Sequence, residues 1–280
     1  MVMKEIKNHF QNYAYLQTEI GEKWVDKMSG THLRFNTAIG VKKPESIRNK
    51  NASCPFCARE ELTDIIDVDD SIILLKNKYP VLEDAYQTVL IETDDCLSEL
   101  SLYSKEHLVK LFSFAIKHWK RVDESGEYKS VLFFKNHGPL SGGTIAHPHM
   151  QIVGLKTIDY MENIETSYFE GLNIHEENGV LFSLSTKPKV GFYEFNVKMT
   201  SLEQIPSFAS YIQIATHYIL NNFPFKANSY NLFFYQFDES IYAKVVPRFV
   251  TTPLYIGFSI PQVPNNLQWV REDIYSKYFK

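Results

Sequence analysis

The sequence predicts an α+β protein built from two related halves. Three observations carry this. Apolar runs of strand length, bounded by turn residues, recur along the chain. A wide apolar stripe of helical period spans residues 104–121. A helix–strand–strand order then returns roughly a hundred residues later, which is the mark of duplication. Two such copies can share one continuous sheet, so the repeat alone does not separate the chain into independent units.

Taken in order, residues 1 to 30 are mixed in character, with Phe10, Tyr13, Tyr15 and Trp24 among them. Residues 31–60 are loop-rich and basic, holding Arg34, Lys42, Lys43, Arg48 and Lys50. Such a run is a solvated surface or a guide for a phosphate. Residues 64–75 hold Ile65, Ile66, Val68 and then Ile72 to Leu75, which reads as two strands turning at Asp69-Asp70. Lys76 to Pro80 ends the second. Val89 to Thr93 reads as a further strand. The helix follows: Leu108, Leu111, Phe112, Ala115, Ile116 and Trp119 fall on one face, Ser104 is an N-cap, and Lys117, Lys120 and Arg121 suit the dipole at its end. His107 and His118 read as solvated positions on its polar side or ends. Val131 to Lys135 is the next strand, with Asn136-His137-Gly138-Pro139 as a turn.

In the second half, Pro206 to Phe223 reads as a helix presenting Phe208, Tyr211, Ile212, Ala215 and Ile219. Asn231 to Tyr235 echoes Val131 to Lys135, and Tyr242 to Arg248 stands where the first half carries its histidines. One half is then active and one degenerate. The aromatic pairs Phe133-Phe134 and Phe233-Phe234 read as core.

Composition bounds the function. The 280 residues are 44% hydrophobic and 14% aromatic, enough for a sizeable core. A net charge of -4 with both signs interspersed argues against a nucleic-acid polymer as partner, since backbone neutralisation needs a basic face. No run approaches the roughly 20 apolar residues of a membrane span, and the N-terminus lacks a signal-peptide core. A cytoplasmic protein is expected.

Two constellations carry chemistry. The three cysteines are Cys54, Cys57 and Cys96. Cys54-Pro55-Phe56-Cys57 is a redox pair or half of a zinc site; the loop-like sequence before it favours zinc, because a redox pair sits where a strand enters a helix. Cys96 and His147 then complete a Cys3His set. The second constellation runs from Gly142-Gly143-Thr144 to His147-Pro148-His149-Met150-Gln151. A glycine loop enters a short strand whose period of two points His147, His149 and Gln151 to one face. Pro148 fixes φ and removes a donor. By itself such a pair is surface decoration, half of a metal site, or a ligand beside a nucleophile on an anion site.

The ordered set of Cys-x-x-Cys, an Asn after a strand, Asn-x-Gly and His-Pro-His-x-Gln resembles galactose-1-phosphate uridylyltransferase and its relatives in the histidine-triad superfamily. The likeness is close over residues 32–155 and holds in outline beyond. It implies a single domain over 1–280, with pseudo-repeat halves at about 32–160 (active motif) and 161–280 (degenerate). Their HIT-like folds would form a mixed, mostly antiparallel sheet flanked by helices. It implies that His149 is the nucleophile, attacking a nucleotide phosphorus to give a covalent nucleotidyl-histidine. Gln151 would contact phosphate oxygens, and Thr144, Gly142 and Gly143 would bind phosphates by hydroxyl and backbone N–H. Asn77 and Asn136 match positions that contact ribose or phosphate, and Arg48 matches a phosphate-binding arginine at altered spacing. Cys54, Cys57, Cys96 and His147 would hold a structural zinc that fixes the motif strand.

Departures from the family pattern are specific. Glu92-Thr93-Asp94-Asp95-Cys96 replaces a segment that ends in a zinc-binding histidine. Met150 replaces a glycine. The second half lacks the histidines that in the family form a second metal site and help place the sugar, and has Lys244 and Arg248 there instead, which suits a more anionic acceptor. The expected function is a nucleotidyltransferase or phosphorylase acting on a nucleotide-sugar or dinucleoside polyphosphate with a phosphorylated acceptor, in a possible homodimer. A hydrolase using the same intermediate, and a zinc-stabilised nucleotide-binding protein, are the alternatives.

Overall fold

A computed structural model describes residues 32–280 except Arg48, Lys50 and Ala52. A short helix, α1 (Thr37–Gly40), is capped by Asn36. Strands β1 (Ile65–Asp69) and β2 (Ile72–Lys76) form the expected hairpin, with Asp70 in the left-handed region at φ 52°. β3 (Ala85–Ile91) starts before the apolar run that announced it, because Ala85 to Thr88 already pair with Leu155 to Ile152. Helix α2 (Lys105–Asp123) begins at Ser104, whose side chain accepts from the His107 N–H. β4 (Ser130–His137) extends through Asn136 and His137, which the sequence places in a turn; the turn itself starts at Gly138, φ 82°. β5 (His149–Leu155) completes the first half.

The second half repeats the order with β6 (Gly171–Glu177), β7 (Val180–Ser185), β8 (Phe195–Met199), α3 (Ile205–His217), β9 (Tyr230–Phe237) and β10 (Ser240–Pro247). A π-helical turn over Tyr218–Asn222 prolongs α3. Helices α4 (Pro253–Phe258) and α5 (Leu267–Tyr278) close the chain. All ten strands join one sheet in the order β1-β2-β3-β5-β4-β9-β10-β8-β7-β6. The order reads alike from both edges once each strand is exchanged for its counterpart. The halves meet where β4 pairs β9, and every pairing of named strands is antiparallel.

Helices α2 and α3 bury their stripes on one face of this sheet. Leu108, Leu111, Phe112, Ala115, Ile116 and Trp119 meet Phe208, Ile212, Ala215 and Ile219 above Val131, Phe133, Met150, Ile152, Leu232 and Phe234. Each large side chain so buried contributes about 1.5–3 kcal/mol. Phe133 and Phe234 are direct partners, stacked with ring centroids 4.0 Å apart. The halves therefore match one residue off the Phe-Phe echo in the sequence. A one-residue slip exchanges the faces of a strand, so burial of Phe133 with Phe234 leaves Phe134 and Phe233 on the open side. There a smaller core of Phe56, Ile73, Leu75, Val89 and Ile91 carries the chain segment that brings in Cys54.

Candidate functional site

On that open face the first half gathers the chemistry. Cys54 and Cys57 leave an irregular segment held down by Phe56 in the small core. Cys96 follows β3, and His147 lies just before β5. Their ligand atoms all lie within 4.8 Å of one another, a cluster that could hold a metal ion. The Sγ atoms of Cys54 and Cys57 are 3.5 and 3.6 Å from His147 Nδ1. A tetrahedral ion with Zn–S near 2.3 Å and Zn–N near 2.05 Å would separate S from N by about 3.5 Å, so the donors fit. His147 Nε2 lies 2.8 Å from the Thr93 carbonyl. That bond takes the ring proton and leaves Nδ1 as a ligand lone pair. Without an ion, burial and then the hydrogen bonds of Cys57 and Cys54 push the Cys96 thiol up to about 12.

His149 opens β5 and is 7% exposed. Its Nδ1 donates to the His147 carbonyl at 2.8 Å, so Nε2 keeps the lone pair. Burial, with Lys135 and Lys43 assisting, brings its pKa down to about 4, and the ring is neutral at pH 7. Period-two alternation carries Gln151 to the same face. A cleft opens over them, lined by Asn77, Asn136, Gly142, Gly143 and Thr144. Sequence reasoning therefore brings these seven residues to one place. Asn77 Oδ1 accepts from the Tyr79 N–H at 2.9 Å, which leaves its amide NH2 for the cleft. Thr144 is anchored by its carbonyl, which accepts from Ser46 N at 2.8 Å. Arg48 lies outside the described residues.

The cleft also holds residues not predicted for it: Lys43, Lys78, Tyr79 and Phe56. Lys43 belongs to the basic run of residues 34–50, and Phe56 stands inside the C-x-x-C, so both had a signal. Burial lowers the Lys43 pKa. Lys78 and Tyr79 merely follow Asn77. From beneath, a buried ion pair supports the motif. Lys135 and Glu92 are 1% and 0% exposed, and Tyr103 donates to Glu92 at 3.0 Å. The Glu92 N–H donates to the Pro148 carbonyl at 3.2 Å, so this pair and Thr93 grip the His-Pro-His run from behind.

Two expectations are corrected. Lys244 is buried against Glu194 at 2.9 Å and is no part of the cleft, so it offers nothing to an acceptor. His118 is not solvated: it is buried with Nε2 2.8 Å from Asp67. His107 is likewise engaged, its Nε2 2.9 Å from the Glu92 carbonyl.

The palindromic sheet, with its His-Pro-His-x-Gln strand facing a glycine-lined cleft, places the chain in the fold class of the uridylyltransferases. Within that class, the chain belongs to the DUF4931 family. The family's N-terminal domain, described as a domain of unknown function, matches residues 35–158, and its C-terminal domain matches residues 161–279. A DUF4931 family protein from Bacillus cereus is 44% identical, with a TM-score of 0.71, covering 78% of this chain and all (100%) of that one.

More distant structures share the fold. An ADP-glucose phosphorylase from Arabidopsis thaliana, solved with bound ADP-glucose, is 14% identical at a TM-score of 0.66, covering 86% of this chain and 93% of that one. A uridylyltransferase, also 14% identical, superposes at 0.64 over 80% of this chain and 90% of its own. In sequence, the ADP-glucose phosphorylase of Arabidopsis thaliana is 24% identical over 167 residues, 50% of this chain and 47% of that protein. The match thus spans about half the length of that curated relative. Among the described residues, no helix is long and apolar enough to cross a membrane.

Proposed function

We propose that this chain is a nucleotidyltransferase or phosphorylase that carries a nucleotide on His149. The observation that carries the reading is the His149 ring itself: neutral, with Nδ1 spent on a carbonyl and Nε2 at a cleft lined by amide and ammonium donors. In the first step Nε2 forms a bond to the α-phosphorus of a nucleotide-sugar, and the bond from that phosphorus to the bridging oxygen breaks. The sugar phosphate leaves with the bond's electrons. In the second step an oxygen of a phosphorylated acceptor attacks the same phosphorus and the P–N bond breaks, returning the neutral imidazole. Gln151, Asn77, Asn136, Thr144 and the backbone N–H groups of Gly142 and Gly143 contact the phosphates and ribose, and Lys43 and Lys78 offset their charge.

Cys54, Cys57, Cys96 and His147 hold zinc, whose contribution is to fix the motif strand rather than to act on substrate. A nucleotide-sugar as donor is supported by the ADP-glucose phosphorylase relatives. The chain works as a single domain, with the motif in residues 32–160 and a supporting half in 161–280.

The test is the intact mass of the protein after incubation, without acceptor, with UDP-sugars, ADP-sugars and diadenosine polyphosphates. Neutral pH is required because phosphoramidates are acid-labile. The expected gain is one nucleoside monophosphate, absent in His149→Ala, with zinc retained under native conditions. An adduct that survives His149→Ala would overturn the assignment.

A further inference from the structure

The second half carries no counterpart of the His-Pro-His motif, yet it reaches the cleft through one line of side chains. Arg248, just beyond β10, donates from Nη1 to Asn231 Oδ1 at 2.9 Å. Asn231, on β9 and 3% exposed, donates from Nδ2 to Ser141 O at 2.9 Å and to Asn136 Oδ1 at 2.6 Å. Asn136 and Asn231 are register partners across the junction of the halves. Asn136 in turn lines the cleft.

The oxygen and nitrogen of an asparagine amide are interchangeable in shape, so only partners of fixed polarity decide which way each points. Here both ends of the line have fixed polarity. A guanidinium can only donate, so Asn231 must turn its oxygen to Arg248. A carbonyl can only accept, so Asn231 must turn its NH2 to Ser141. That NH2 then demands an oxygen from Asn136. The reversed arrangement would set donor against donor at the half-buried Arg248 and acceptor against acceptor at the buried Ser141. We propose that Arg248 and Asn231 are positioning residues that fix the amide of Asn136 with its NH2 toward the cleft, so that this wall selects a ligand oxygen. The same bond to Ser141 ties the start of the glycine loop to this setting. The proposal rests on the reading of the cleft as a nucleotide site.

The experiment measures equilibrium binding of ADP-glucose and of UDP-glucose to the zinc-loaded full chain by calorimetry. All variants are built on His149→Ala so that no adduct forms. Asn231→Asp keeps size and the bond to Arg248, but the new carboxylate cannot donate. Asn136 must then turn its NH2 back and present its oxygen to the ligand. Binding is expected to weaken about tenfold or more. In an Asn136→Ala background the same change should cost less than about threefold, because the amide it acts through is gone. Arg248→Lys keeps a donor-only partner and should stay within about threefold of the parent.

If Asn231→Asp does not fold, Arg248→Met is read instead, with a weakening of at least about threefold that disappears in the Asn136→Ala background. A parent that binds neither nucleotide-sugar overturns the reading of the cleft, and this assignment with it. A parent that binds, with Asn231→Asp costing the same factor with or without Asn136, overturns the relay alone.

Discussion

His137 shows how burial sets the behaviour of one residue. It ends β4 with its ring stacked on Tyr230, centroids 4.8 Å apart, and burial, helped by Lys135, brings its pKa down to about 3. An unfolded histidine titrates near 6.5. Below that pH the unfolded chain takes up a proton that the folded chain refuses. The stability tied to His137 is therefore complete above pH 6.5 and is lost as pH falls toward 3, at up to about 1.4 kcal/mol per unit. His137→Phe keeps a stacking ring and removes the titration. Denaturant unfolding at pH 6.5 and pH 5 should show the variant losing about 2 kcal/mol less than the parent; equal losses would place the titration elsewhere. The sequence marked His137 only as a turn residue, because its environment is supplied by Tyr230, far along the chain. His118 was misplaced for the same reason: its helix position reads as polar, but Asp67 of β1 arrives beside it. Residues inside the His-Pro-His-x-Gln run fared better, since a strand's alternation is local and fixes which side chains share a face.

At the scale of elements, the two halves differ most where their last two strands connect. β9 and β10 are joined by a tight turn at Asp238-Glu239, with Asp238 at φ 50°. β4 and β5 are joined by residues 138–148, which include the whole glycine loop. The missing loop, as much as the missing histidines, deprives the second half of a phosphate cradle. Two glycines in the first loop separate strain from collision. Gly138 sits at φ 82°, and a Cβ there would come within 2.1 Å of the Asn228 carbonyl. Gly142 sits at φ 87° with nothing within 4 Å of an added Cβ. Gly142→Ala should cost about 1 kcal/mol, the backbone strain alone, and Gly138→Ala about 3 kcal/mol or more, because the loop must also shift. Thermal or denaturant unfolding of the two variants checks the order; a larger loss at Gly142 would contradict it. Helix boundaries were legible from Ser104 and the apolar stripe, and the first hairpin from Asp69-Asp70. The start of β3 was not, since Ala85 to Thr88 become strand only by pairing with β5. The halves' true register was hidden too: the repeated Phe-Phe pair invites an even offset, and only packing against the helices shows which phenylalanine is inside.

For the whole molecule, one sheet and two unequal coverings divide the work. The duplication was readable from the order of elements, which allowed a continuous sheet that the family resemblance then implied, but the palindromic strand order requires the β4–β9 junction, which no local pattern announces. Over the helical face the core runs through both halves. Over the open face of the first half the core is small, and the segment above it is tied down by four donors drawn from three stretches of chain. Removing the metal should therefore act unevenly. An ion that binds only the folded protein stabilises it by mass action, and its loss leaves three thiols and a histidine crowded together. Hydrogen exchange after chelation should rise in residues 53–62, 93–98 and 142–147. Amides of β6 to β10, held by sheet pairing and by α3, should keep their protection. Adding zinc back should restore the first set together with nucleotide binding, because the cleft's floor and loop depend on the same anchor. Uniform loss of protection would mean that the metal supports the fold as a whole. No loss at all would mean that the small core and the Lys135–Glu92 pair hold the motif without it.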